Sequence, residues 1–187
     1  SFDRVIRRHE GRIAVDGNGS EWPAADRPAI AVEEMGDRYA ATFQWMYDED
    51  HLYLLAEVRD PDPGLSEAAA ANLIFSGDSI TVHAGAHAET RSFVIIAHRG
   101  GKTAVYDPST TARIPASKAA FRAGPDDQGY TLEASIPWTA IPGVEASSGA
   151  PLRLHWEIAW SDSLGGESAF ERTWGADDET QRCFRLQ

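Results

Sequence analysis

The sequence predicts an all-β domain, a sandwich or a barrel, and three observations predict it. Apolar and polar residues alternate in short runs, the period of a half-buried strand. Gly, Pro, Asn and Asp gather between the runs, where turns need them. Helical periodicity is scarce, confined to the Ala-rich stretch Leu65 to Leu73 and one short turn after Pro137.

In chain order, Arg12 to Val15 reads as a strand that meets the turn Asp16-Gly17-Asn18-Gly19. Tyr39 to Tyr47 alternates, with Phe43, Trp45 and Tyr47 on one face and Thr42, Gln44 and Met46 on the other. The polar turn Asp48-Glu49-Asp50 leads into Leu52 to Val58, so the two runs form a hairpin. Two prolines in Asp60-Pro61-Asp62-Pro63-Gly64 end it, because proline offers no ladder donor. Further strands are expected at Ser79 to His83, Ser92 to Ala97, Thr103 to Tyr106, Ala119 to Ala123, Tyr130 to Ile136, Leu152 to Trp160 and Phe184 to Leu186. Trp156, Ile158 and Trp160 share a face, which strand patterning assigns to the core. Glu157, Ala159 and Ser161 take the other. No repeat or interdomain linker interrupts the pattern, so residues 1–187 read as one domain.

Composition narrows the partners. The formal net charge is -12, which argues against nucleic acid and anionic membranes, since both require clustered Lys and Arg. Cys183 is the only cysteine, so no internal disulfide forms and no multi-cysteine metal site exists. No run approaches the roughly 18 apolar residues of a membrane span. Ser1 opens a polar, charged segment unlike a signal peptide. The chain also lacks G-x-S-x-G, a P-loop and H-E-x-x-H, and an enzyme is not expected.

Four segments stand out in order: Ile13-Ala14-Val15-Asp16-Gly17 with Glu21-Trp22; Tyr47 to Tyr53 running on to Val58-Arg59-Asp60; Gly77 to Val82; and Tyr130 to Trp138. Together they resemble the family 9 carbohydrate-binding module and its relatives in the DOMON-like superfamily. The resemblance implies an antiparallel β-sandwich, jelly-roll-like, with one or two short helical turns. It implies a non-catalytic, extracytoplasmic domain for a carbohydrate or another small polar ligand. Two alternatives stand beside that reading. One is the sensor domain of a membrane receptor such as a histidine kinase. The other is a scaffold that has lost sugar binding. Either could belong to a larger membrane-anchored or multidomain protein.

By the same resemblance, Phe75, Asp78, Thr81 and Trp174 lie at the ligand site. Family members clamp a sugar ring between two tryptophans, since an indole stacks on the apolar C–H face. Phe75 occupies one clamp position here, and Asp177 to Cys183, where the other would fall, holds no aromatic. Thr81 stands in the family's glutamate position, and Val94 and Ser168 in its arginine positions. Trp22, Tyr53 and Trp138 read as structural aromatics.

Structural calcium is expected at Asp60 and Asp62, whose carboxylates on a proline-rich loop suit a hard cation. Asp48-Glu49-Asp50 is a weaker candidate. His83 and His87 sit on a strand exit and lack a nearby third ligand, which argues against zinc. No haem is expected. Met35, Met46, Lys102 and Lys118 are the only residues of the types that ligate it in some relatives.

Overall fold

Short alternating runs become strands because each can bury one face against a second sheet. The computed structural model describes residues 5–23, 29–31, 39–64, 77–86, 89–98, 103–161, 171–174 and 182–187. At 29–31, 161, 171–174 and 182 only the backbone is described. Among these residues the strands are β1 (Val5–Arg8), β2 (Ala29–Ala31), β3 (Ala40–Tyr47), β4 (His51–Arg59), β5 (Ser79–Gly85), β6 (Arg91–Ile96), β7 (Val105–Tyr106), β8 (Lys118–Ala123), β9 (Tyr130–Pro137), β10 (Pro151–Ser161), β11 (Glu171–Trp174) and β12 (Arg182–Leu186). Two 3-10 turns, Pro125–Asp127 and Trp138–Ala140, are the helical content of the described residues. The expected helix at Leu65 to Leu73 lies outside them.

The strands form two layers. The front sheet runs β7-β6-β5-β10-β12, with β11 also on β10. The back sheet runs β3-β4-β9-β8, with β2 also on β3. All of these pairings are antiparallel. The parallel element is β1, which pairs with β12 through Val5 and Ile6 and with β3 through Arg7 and Arg8. The layers bury one core between them. The back sheet contributes Phe43, Leu54, Leu132 and Ile136, and the front sheet Val82, Phe93, Ile95, Trp156 and Ile158. Each such side chain contributes about 1.5–3 kcal/mol by leaving water. Trp156, Ile158 and Trp160 point inward, as strand patterning requires.

Arg12 to Val15 is not a strand. Its backbone is irregular, and the Ala14 amide donates to Glu21 Oε2 at 2.8 Å rather than to a neighbouring strand. Ile13 and Val15 still use their alternation. They pack with Trp22, Met46, Tyr53 and Leu55 on the outer face of the back sheet. Residues 9–23 therefore cover part of that face. Met46, a candidate haem ligand by residue type, is packed in this cluster.

The β3–β4 turn is locked by Asp48. Its Oδ1 accepts the amides of Asp50 and His51, and its Oδ2 accepts the Tyr53 hydroxyl at 2.6 Å. The Asp48 carbonyl accepts Trp138 Nε1 at 2.9 Å. Burial pushes the Asp48 pKa up, but the Tyr53 hydroxyl and the two amides outweigh it and hold the carboxyl below its ordinary range. Tyr53 and Trp138 are buried with their polar ends engaged, which is a structural role.

Candidate functional site

The outer faces of the two sheets differ, and the difference marks a candidate site. On the front sheet, inward residues of β5 (Ile80, Val82, Ala84) alternate with half-buried Ser79, Thr81 and His83. On β10 the half-buried outer residues are Arg153, His155, Glu157 and Ala159. Register sets these in rows across the strands. Glu157 lies opposite Thr81, Thr81 opposite Val94 and Val94 opposite Tyr106. In the next row His155 lies opposite His83, and His83 opposite Ser92. One end of this face is apolar, with Val94, Ile96, Ala104 and Tyr106 packed together.

The polar row is tightly organised. The rings of His83 and His155 stack at 4.1 Å between centroids and 13° between planes. His83 Nδ1 lies 2.7 Å from Ser92 Oγ, and His83 Nε2 lies 3.4 Å from Glu157 Oε2. An ionised Glu157 places the ring proton on Nε2, so Nδ1 accepts the Ser92 hydroxyl. Burial, then the neighbouring His83 charge, hold the His155 pKa below its ordinary value of 6.5. The side chains of His83 and Glu157 are 20% and 29% exposed, so both reach solvent from rigid strands.

The residues anticipated from sequence are dispersed. Thr81 lies in the centre of this face. Phe75 lies outside the described residues, as do Ser168 and His87. Trp174 ends β11, with its backbone opposite Ile158 and its side chain undescribed. Asp78 is 0% exposed and faces the interior.

Asp78 has different company. Asp60, just after β4, is also 0% exposed. Both carboxylates raise the pKa of Tyr130, which burial raises first and further, so the three groups converge. The Tyr130 hydroxyl has no hydrogen-bond partner among the described residues. The loop closes around them, with the Asp78 amide on the Gly64 carbonyl at 2.8 Å and the Asp62 amide on Asp60 Oδ1 at 2.8 Å. Asp62 itself is exposed. The Asp78 amide thus ties the loop that follows β4, in the back sheet, to the residue before β5, in the front sheet. Among the described residues no three His, Cys, Asp or Glu side chains cluster as a metal site.

The His83–His155–Glu157–Ser92 group was not anticipated. The available signal was that His83, His155 and Glu157 all fall on outward strand positions. Their meeting depends on the β5–β10 register, which local sequence does not encode.

Two antiparallel layers packed face to face make a β-sandwich, with a half-exposed polar face on one of them. A family model described as carbohydrate family 9 binding domain-like matches residues 15–181, and the chain belongs to that family. A family 9 carbohydrate-binding module from Caldicellulosiruptor kristjanssonii, in complex with cellotriose, is similar with a TM-score of 0.67 at 17% identity, covering 98% of this chain and 93% of that one. A family 9 module from the same organism in complex with glucose gives a TM-score of 0.63 at 18% identity, covering 98% and 95%. At these identities the likeness is one of fold. No curated protein matches the chain.

Proposed function

We propose that this chain is a non-catalytic, extracytoplasmic carbohydrate-binding module that takes its saccharide on the outer face of the front sheet, across Thr81, Glu157 and the adjoining histidines. The observation that carries this reading is the set of half-buried polar side chains Thr81, His83, His155 and Glu157, which the β5–β10 register places side by side on that face. Polar groups fixed on rigid strands can hydrogen-bond saccharide hydroxyls. Family membership and the saccharide complexes of the similar modules support the ligand class. The extracytoplasmic setting is proposed from family membership alone.

Isothermal titration with cellotriose and glucose tests it. Glu157→Ala should weaken binding at least about tenfold, the loss of one hydrogen bond to a charged group. Undiminished affinity in both Glu157→Ala and Thr81→Ala would move the site off this face. Phe75→Ala would then decide whether the clamp position inherited from the family holds the sugar.

The same reading includes structural calcium, held by Asp60 and Asp78. Both carboxylates are fully buried beside the loop at 60–64, which the Asp78 amide closes on the Gly64 carbonyl. Their oxygens are the hard donors that calcium takes, and the remaining coordination would come from carbonyls and water. EDTA should lower the Tm by at least about 3 °C, as expected for loss of a ligand bound to the native state. Asp60→Asn should reproduce the drop and make it insensitive to EDTA. An unchanged melt in both would remove the ion.

A further inference from the structure

The stacked imidazoles give the proposed binding face a chemistry that a saccharide site does not require. His83 and His155 are direct cross-strand partners, so their backbone attachment points cannot separate without breaking the β5–β10 ladder. Only side-chain rotation can part the rings. At 4.1 Å and 13° the stack suits two neutral rings, or one neutral and one charged, but not two imidazoliums. The groups that face the pair come from every neighbouring strand. From β10 come Arg153, His155 itself and Glu157; from β6 comes Ser92; on β12 the exposed Cys183 lies opposite Arg153. Arg153 opposes a second positive charge, and Glu157 gives a proton on His83 Nε2 a partner at 3.4 Å. No hydrogen bond ties the His155 ring to another described residue, so it can take a proton from solvent.

We infer that the His83–His155 stack is a proton-operated switch of this face, holding Glu157 and Thr81 in their binding arrangement while it is neutral and releasing that arrangement when both rings are protonated. The inference rests on the saccharide reading of the same face. On acidification the second proton drives the rings apart. Parting the rings moves His83, and with it the Glu157 carboxylate 3.4 Å from its Nε2, out of the row. Affinity is therefore full above the ordinary imidazole range and falls below it. Stability follows the same sign. A histidine whose folded pKa is depressed contributes stability that is present above 6.5 and lost as pH falls through the folded value.

The test pairs a binding and a ligand-free readout on the wild type and His155→Phe, which keeps a ring in the stack but takes no proton. With cellotriose as probe, wild-type affinity should fall about fivefold or more from pH 7.5 to 5.0, and His155→Phe should flatten the change to under about twofold. A level wild-type profile, or the same slope in His155→Phe, would overturn the switch. If cellotriose gives no heat at any pH, the saccharide reading fails for that probe and the switch is judged without ligand. The backbone amide resonances of Thr81 and Glu157 should then shift together below pH 6.5 in the wild type and move clearly less in His155→Phe. Resonances unmoved in the wild type, or moving equally in both, would overturn it.

Discussion

Glu133 is a carboxylate in the middle of β9, 1% exposed, and it accepts three hydrogen bonds. Oε2 takes the amides of Asp16 and Gly17 at 2.9 and 2.7 Å, and Oε1 takes Trp22 Nε1 at 2.7 Å. One side chain thus pins the Asp-Gly turn and the tryptophan that follow it onto the outer face of the back sheet. Gly17 is required there twice over. Its φ is +80°, and a Cβ would come within 2.8 Å of the Phe121 carbonyl carbon. Glu133→Gln keeps the shape but turns an amide NH2 toward one of these donors and removes the charge. It should cost about 2–3 kcal/mol, read by urea denaturation, because a buried N–H is left facing a donor. A loss below about 0.5 kcal/mol would mean that the carboxylate is not what holds residues 16–22 in place. Its three donors and its burial give Glu133 a structural role.

At the scale of the element, legibility followed the length of the alternation. β3, β4, β5, β6, β9 and β10 each bury one face against the core, and period-2 patterning placed them within a residue or two. β1, β2 and β11 are three or four residues long. Such runs carry too few alternations to stand out, and their existence depends on partners far away in sequence. β2 and β1 share one edge of β3, and β11 and β12 share one edge of β10, an arrangement that no local pattern announces. Arg12 to Val15 shows the converse error. Its alternation is real, but it serves packing on a sheet surface rather than a ladder. The candidate site divides in the same way. Thr81 was legible because its strand motif is local. The pairing of His83 with His155 was not, because register across a sheet is set by the whole core.

Across the whole molecule, the two outer faces have been put to different uses. Residues 9–23 cover part of the back sheet and are anchored by Glu133, whereas the front sheet leaves half-buried Thr81, His83, His155 and Glu157 at its surface. That asymmetry needs the layers held in a fixed relation, and β1 is the element that links their ladders. Its first half pairs with β12 and its second half with β3. The Gln187 amide donates to the Ile6 carbonyl at 3.0 Å, the Arg8 amide to the Gln187 carbonyl at 2.8 Å, and the His9 amide to the Tyr47 carbonyl at 2.7 Å. Ile6, 2% exposed in the shared core, is its apolar anchor. Ile6→Ala should cost about 2–5 kcal/mol by leaving a cavity between the layers. If β1 couples the sheets, hydrogen exchange should accelerate together at the amides of Arg8 and Gln187, on the front-sheet side, and of His9, on the back-sheet side. Acceleration on one side alone would make β1 two independent attachments, and the fixed relation of the layers would then rest on the core between them.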